Sequence, residues 1–346
     1  MIFSPCGLWS LLAMLTVGSR GETRSQLNTL LDLPASPATY LEAYQAATSD
    51  LTLENMERAA NIFIDSFYWI DQKYRDLIET FFRTEIQNNI NYGIAGESVK
   101  KINSWIKNKT SSKIQKVLNS NSISDNTNMI LADALYFKGK WRIGFDPENT
   151  KSREFFVNRQ EMVDTKMMSL SSVFAYAKLD NYFDCSVLEI PFSGRRLVMQ
   201  ILLPREKSGL RELEQKISTK NIFQTFNKKK EWKKINVLLP KFKMDVDMSL
   251  SNHLKHMGLT GLFVENHPDF SGIDSSMFLH LDEVEQRISL EIAEDGDIVQ
   301  PYKSVWPEVE FNVDHPFLFF IRDKLTGLLL VHGRIAEPFV TSSRLE

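Results

Sequence analysis

The chain has 346 residues, 43% hydrophobic and 25% charged, with a formal net charge of −3. This is the composition of a globular protein with a large core; it excludes global disorder and the strong positive field of a nucleic-acid binder. No apolar run reaches the roughly 18 residues that a membrane-crossing helix needs, and two cysteines, Cys6 and Cys185, are too few for a disulfide scaffold.

From Phe3 to Leu15 the apolar residues are continuous enough for a helix buried on most faces, with Ser4-Pro5 as its start signal. The stretch lacks the basic leader of a signal peptide and reads as a core helix. Glu22 to Leu33 places Leu27, Leu30 and Leu31 at helical spacing before Pro34. Pro37 to Glu57 is acidic, carries no Lys or Arg, and is expected to be a mobile helix or loop. Strand character appears at Ala60 to Ile64, and helical spacing returns at Tyr74 to Phe82 and Val99 to Ile106. Met129 to Phe137 suits a strand buried on both faces. Val187 to Phe192 and Leu197 to Leu203 flank Ser193-Gly194 as a hairpin. Ile235 to Leu239 and Phe242 to Val246 alternate around Pro240, and Phe317 to Ile321 pairs with Leu328 to Val331. Without a repeat, a low-complexity linker or a βαβ rhythm, the pattern predicts one α+β domain over residues 1–346.

Chemistry-bearing motifs are sparse. There is no nucleophile elbow, phosphate-binding loop, dinucleotide fingerprint or His-Glu-x-x-His helix, so the sequence does not read as an enzyme and implies no cofactor. His253 and His256 sit three apart without a completing ligand, so no metal site is assigned, and Cys6 lies in an apolar, structural context. Lys228, Lys229, Lys230, Lys233 and Lys234 can contact a polyanion such as heparin or form a solvated turn before a strand. Asn108-Lys109-Thr110 is a glycosylation sequon that matters only in a secreted chain.

Several segments, in order, resemble the signature blocks of the serpin family. They are Phe3-Ser4-Pro5 with the helix after it, Asp133 to Trp141 (DALYFKGKW), Leu188-Glu189-Ile190-Pro191-Phe192, Leu202-Leu203-Pro204, Leu239-Pro240-Lys241-Phe242, Phe311 to Ile321 (FNVDHPFLFFI) and Gly333 to Pro338. The resemblance spans nearly the whole chain. It implies the serpin fold: three mostly antiparallel sheets, about eight helices and an exposed reactive-centre loop. It also implies a monomer that engages a serine protease, needs neither nucleic acid nor membrane, and works outside the cell, with a cytoplasmic setting as the alternative. Relative to the family, the chain is expected to lack the first helix.

Serpin function rests on a bait loop between an acidic hinge and the block at Phe311. The resemblance assigns the hinge to Glu291, Glu294, Asp295, Gly296 and Asp297, and the family spacing back from Phe311 puts the reactive bond at Lys303-Ser304. A basic residue there implies a trypsin-like partner. After cleavage an inhibitory serpin inserts the freed hinge as a new central strand and drags the acylated protease along. A chain of this size is about 50 Å across, which takes roughly 15 strand residues to span. Gly296 to Lys303 is seven steps, or about 23 Å. The loop of 296–310 therefore reads as shortened. Asp297, Ile298, Val299, Gln300 and Pro301 also replace the family's alanine-rich run, and Pro301 lacks a ladder donor.

Where the central sheet must open, the resemblance assigns Ser4, Asp133, Trp141 and Gln286. Asp133 stands where the family usually has Asn, Gln286 where it often has His, and Gly7 where Ser is usual. The expected function is a serpin-type inhibitor or bait for a trypsin-like protease, with a non-inhibitory binding or storage serpin as the alternative.

Overall fold

The computed structural model describes residues 1–34, 36–49, 56–119, 122–194, 196–265, 267–297, 309–338 and 343–345. In chain order the elements begin β1 Ile2–Phe3, α1 Pro5–Gly18, α2 Gly21–Leu31, α3 Pro37–Thr48, β2 Met56–Asp65, α4 Gln72–Phe82, β3 Gln87–Ile90, α5 Ala95–Lys109 and β4 Met129–Lys138. They continue β5 Lys151–Phe156, β6 Met162–Lys178, α6 Asp180–Phe183, β7 Cys185–Pro191, β8 Leu197–Pro204, α7 Leu210–Thr219, α8 Ile222–Lys229, β9 Glu231–Pro240 and β10 Phe242–Ser249. The remainder are α9 Ser251–Leu254, β11 Glu283–Ile292, β12 Val309–Asn312, β13 Phe317–Asp323, β14 Leu329–Ile335 and β15 Ser343–Leu345. The reactive bond Lys303-Ser304 lies outside the described residues, as do 50–55 of the acidic stretch.

The local chemistry explains the boundaries. Ser4 accepts a hydrogen bond from the Gly7 amide at 3.2 Å and Pro5 opens the first turn, so α1 starts where the sequence signal predicts. Its residues from Ser10 to Gly18 are buried without a polar face, as expected of a core helix. In α4, Asp71 caps the start by accepting from the Tyr74 amide, and Arg83 ends it in the left-handed region. β4 and β8 are buried on both faces nearly throughout, which is why their continuous apolar runs read as strands.

The chain divides into two compact units. The first comprises residues 1–3, 137–245 and 290–342. It holds a sheet ordered β1-β14-β13-β8-β7-β6-β9-β12, with β5 added on β6. Helices α7 and α8 cover this sheet through Leu210, Leu213, Ile222 and Phe226, which pack on Val187, Leu202 and Leu318. The second unit comprises residues 4–136, 246–289 and 343–346. Its sheet runs β15-β10-β11-β4-β2-β3, and α5 seals one cluster by packing Ile102 and Ile106 against Phe63 and Ile130.

Two sheets are thus found among the described residues, where three were expected. The reason is β6. Its 17 residues pair with β5 at one end, β9 along the middle and β7 at Ala175 to Lys178, and this fuses what would be separate sheets. The predicted hairpin forms as β7 with β8, and the C-terminal apolar pair as β13 with β14, both antiparallel. Parallel pairs include β2 with β3, β9 with β12 and β10 with β15, and Trp141 bridges Gly296 in the same sense.

Candidate functional site

The hinge assigned from sequence is tied down at its base. Past the end of β11, the Trp141 amide donates to the Asp295 carbonyl at 2.8 Å, the Asp297 amide to the Trp141 carbonyl at 2.9 Å, and the Phe145 amide to the Glu294 carbonyl at 3.0 Å. Trp141 is fully buried, stacks on Phe192 with centroids 4.5 Å apart, and donates its indole N–H to the Ala293 carbonyl at 2.7 Å. Gly296 lies so close to residue 144 that a Cβ on it would meet the Gly144 Cα at 2.3 Å. Any side chain at Gly296 would push the hinge off this backbone.

Each acidic hinge residue has a partner. The Lys138 ammonium lies 3.1 Å from Glu291 and 3.2 Å from Asp295. Glu294 accepts from Lys241 at 2.7 Å and Thr150 at 2.9 Å, and these bonds hold its carboxyl below the ordinary value against the opposing effect of burial. Asp297 accepts from the Ser193 hydroxyl at 2.9 Å and pairs with Lys140 at 3.2 Å; the hydroxyl first, then the ammonium, lowers its pKa. Lys138, Lys140, Ser193, Thr150 and Lys241 were not singled out from sequence. They come from strand ends and turns remote in the chain; the signature blocks contain Lys138, Lys140 and Lys241 and the hairpin turn contains Ser193, but neither signal tied them to the hinge.

The residues assigned to sheet opening form a second cluster, except Trp141, whose partners are those of the hinge. Gln286 on β11 is clamped through its side-chain amide: Oε1 accepts from the Ser4 amide at 2.9 Å, and Nε2 donates to the Ser4 carbonyl at 3.0 Å and to Asp133 Oδ2 at 2.9 Å. Asp133 is fully buried on β4, and burial raises its pKa despite the opposing pull of Arg58 and Gln286. Arg58 on β2, absent from the sequence assignment, places its Nε 3.4 Å from Asp133 Oδ1. Its remaining donors reach the Tyr44 hydroxyl, the Cys6 carbonyl and the Ser10 hydroxyl. Gly7 makes room for the carboxylate: a Cβ there would sit 1.9 Å from Asp133 Oδ2.

The other candidates are quiet. His253 and His256 are exposed. Both thiols are buried, and burial pushes the Cys6 pKa up and that of Cys185 to about 12, so neither is a poised nucleophile. Thr110 of the sequon is buried, its hydroxyl donating to the Ile106 carbonyl. In the basic cluster Lys228 and Lys229 are exposed, whereas Lys230 donates to Asn227 and Lys233 pairs with Glu231. No helix among the described residues is long and apolar enough to cross a membrane.

A family model for serpins, described as serine protease inhibitors, matches residues 1–338. The chain belongs to the serpin family. It is similar to human serpin B3, 30% identical over 98% of this chain and 93% of the relative. It is also similar to human leukocyte elastase inhibitor, 27% identical over the same shares of the two chains. Among solved structures, native protease nexin-1 with heparin superposes with a TM-score of 0.85 at 29% identity, over 98% of this chain and 92% of that one. The α+β serpin fold expected from the signature blocks is therefore the fold of this chain.

Proposed function

We propose that this serpin, acting as one domain over residues 1–346, is not an enzyme but a bait: it offers Lys303-Ser304 to a trypsin-like serine protease and is cut there without trapping it. The observation that carries this reading is the anchoring of the hinge. Asp297 is the first residue after Gly296 and would have to enter the central sheet first, yet its carboxylate is held by Ser193 and Lys140 at the protein surface. Moving an ionised carboxylate from such partners into a sheet interior is costly. The seven steps from Gly296 to Lys303 also provide too short a tether to carry an acylated protease across the fold. Relatives such as leukocyte elastase inhibitor are named for inhibition, so the serpin architecture itself supports engagement of a protease and the hinge supports release.

Incubation with trypsin tests this. Cleavage at Lys303 with no SDS-resistant adduct, and a thermal midpoint unchanged by nicking, are expected. A covalent complex at stoichiometric yield, or a large rise in the midpoint after nicking, would overturn the reading in favour of a working inhibitor. The likeness to a heparin-bound serpin supports a weak polyanion contact at Lys228, Lys229, Lys230, Lys233 and Lys234 as an accessory feature.

A further inference from the structure

In the six-stranded sheet β4 lies between β2 and β11, so any strand that enters between β4 and β11 must first part that seam. Asp133 on β4 and Gln286 on β11 join it through side chains, at 2.9 Å and out of contact with water. The Gln286 amide has no slack: its oxygen is taken by the Ser4 amide, and its nitrogen is shared between the Ser4 carbonyl and Asp133. Arg58 stands on the other side of Asp133, on β2, and contacts neither Gln286 nor Ser4 in this network.

We propose that Arg58 is the counter-charge of a clasp across the β4/β11 seam, in which the Arg58–Asp133 pair turns the Asp133–Gln286 hydrogen bond into a charge-assisted one and keeps the sheet shut. The argument runs through what each group would lose. Burial alone favours a protonated Asp133. A neutral carboxyl would offer Gln286 only an ordinary hydrogen bond, about half as strong as one to an ionised acceptor. The guanidinium opposes that outcome by meeting Oδ1 and leaving Oδ2 to Gln286. Because β2 neighbours β4, opening the seam would leave the ion pair whole while breaking, besides the backbone ladder between β4 and β11, the bond from Gln286 to Asp133. The buried amide and carboxylate oxygen would then be unsatisfied.

Gly7 completes the arrangement. The space that a side chain there would occupy is filled by the Asp133 carboxylate, so the carboxylate in this position and a glycine at 7 belong together. Arg58, Gly7, Asp133 and Gln286 are therefore one interdependent set. The inference deepens the bait reading, because a seam held this way resists strand entry whatever the length of the loop.

Hydrogen exchange without any protease tests it, so its outcome is independent of whether trypsin forms an adduct. The variant Arg58→Met is expected to lower protection of the β4 and β11 amides by roughly tenfold relative to amides of β6 and β9 in the other sheet. Asp133→Asn alone should do likewise, and the double variant should recover global stability while its seam stays weaker than wild type. If Arg58→Met does not fold, Arg58→Lys keeps a charge without the fork and should give an intermediate loss confined to the seam. Wild-type protection at the seam, or equal losses in both sheets, would show that Arg58 is only a general stabiliser and would overturn the proposal.

Discussion

The hinge and the seam clasp are built from the same chemistry, carboxylates held by cations and neutral donors, and they differ in solvent. At the hinge, the Asp297 and Lys140 side chains are about 40% and 39% exposed. At the clasp Asp133 is fully buried and Arg58 retains 19%. Water can replace either partner of Asp297 at little cost, so this ion pair positions the chain without contributing much stability. At the clasp each group that loses its partner has nothing to replace it, and the network stands or falls as a unit. The hinge must therefore draw its firmness from elsewhere, and the structure points to the apolar anchor at Trp141.

That contrast fails if Trp141 is dispensable. Trp141→Ala removes a fully buried indole, its stacking on Phe192 and its hydrogen bond to Ala293. An unfolding loss of about 3–5 kcal/mol in urea titration is expected. Trp141→Phe should keep most of the packing and lose about 1 kcal/mol for the hydrogen bond. If both variants unfold like wild type, the hinge is held by its charges after all.

The clasp makes a smaller but more specific demand. Gly7→Ala places a methyl where the Asp133 carboxylate lies, and a destabilisation of about 1–3 kcal/mol is expected from the forced shift. The diagnostic is coupling: with Asp133→Ala already in place, the methyl has room and Gly7→Ala should cost far less. Additive losses in the two-residue cycle would mean that the two positions do not share that space.

How much of this was legible in the sequence follows from burial and distance along the chain. β4 and β8 were readable because strands buried on both faces leave an unbroken apolar run. β6 went unread. Its alternation is interrupted where Val173 is exposed and Phe174 to Ala177 are all buried, as the strand gains β7 as a neighbour. The hinge carboxylates and Gly296 were assigned through the resemblance to the family's signature blocks, and so were Ser4, Asp133 and Gln286. Their partners were not. Arg58 is 75 residues from Asp133 and Ser193 is 104 from Asp297, separations at which only the fold decides who meets whom. An aspartate in the middle of an apolar strand was itself the signal that a cation had to be sought.

The smallest effect concerns acid. Asp297 has a folded-state pKa below its ordinary value because the Ser193 hydroxyl and the Lys140 ammonium favour the charged form. A depressed carboxylate contributes its stabilisation in full above the unfolded value, near pH 4, and loses it as the pH falls through the lower folded value. The latch should therefore hold at neutral pH and release only in strong acid. Carbon-detected NMR titration of the Asp297 carboxyl should give a pKa below that of an unstructured aspartate, rising in Ser193→Ala and rising again when Lys140→Ala is added. Global stability should barely change in either variant, because the groups are exposed. An Asp297 that titrates at the ordinary value in the wild-type protein would mean that the carboxylate moves freely in water. The hinge would then owe nothing to the Ser193 and Lys140 contacts of Asp297, and these could no longer oppose strand entry.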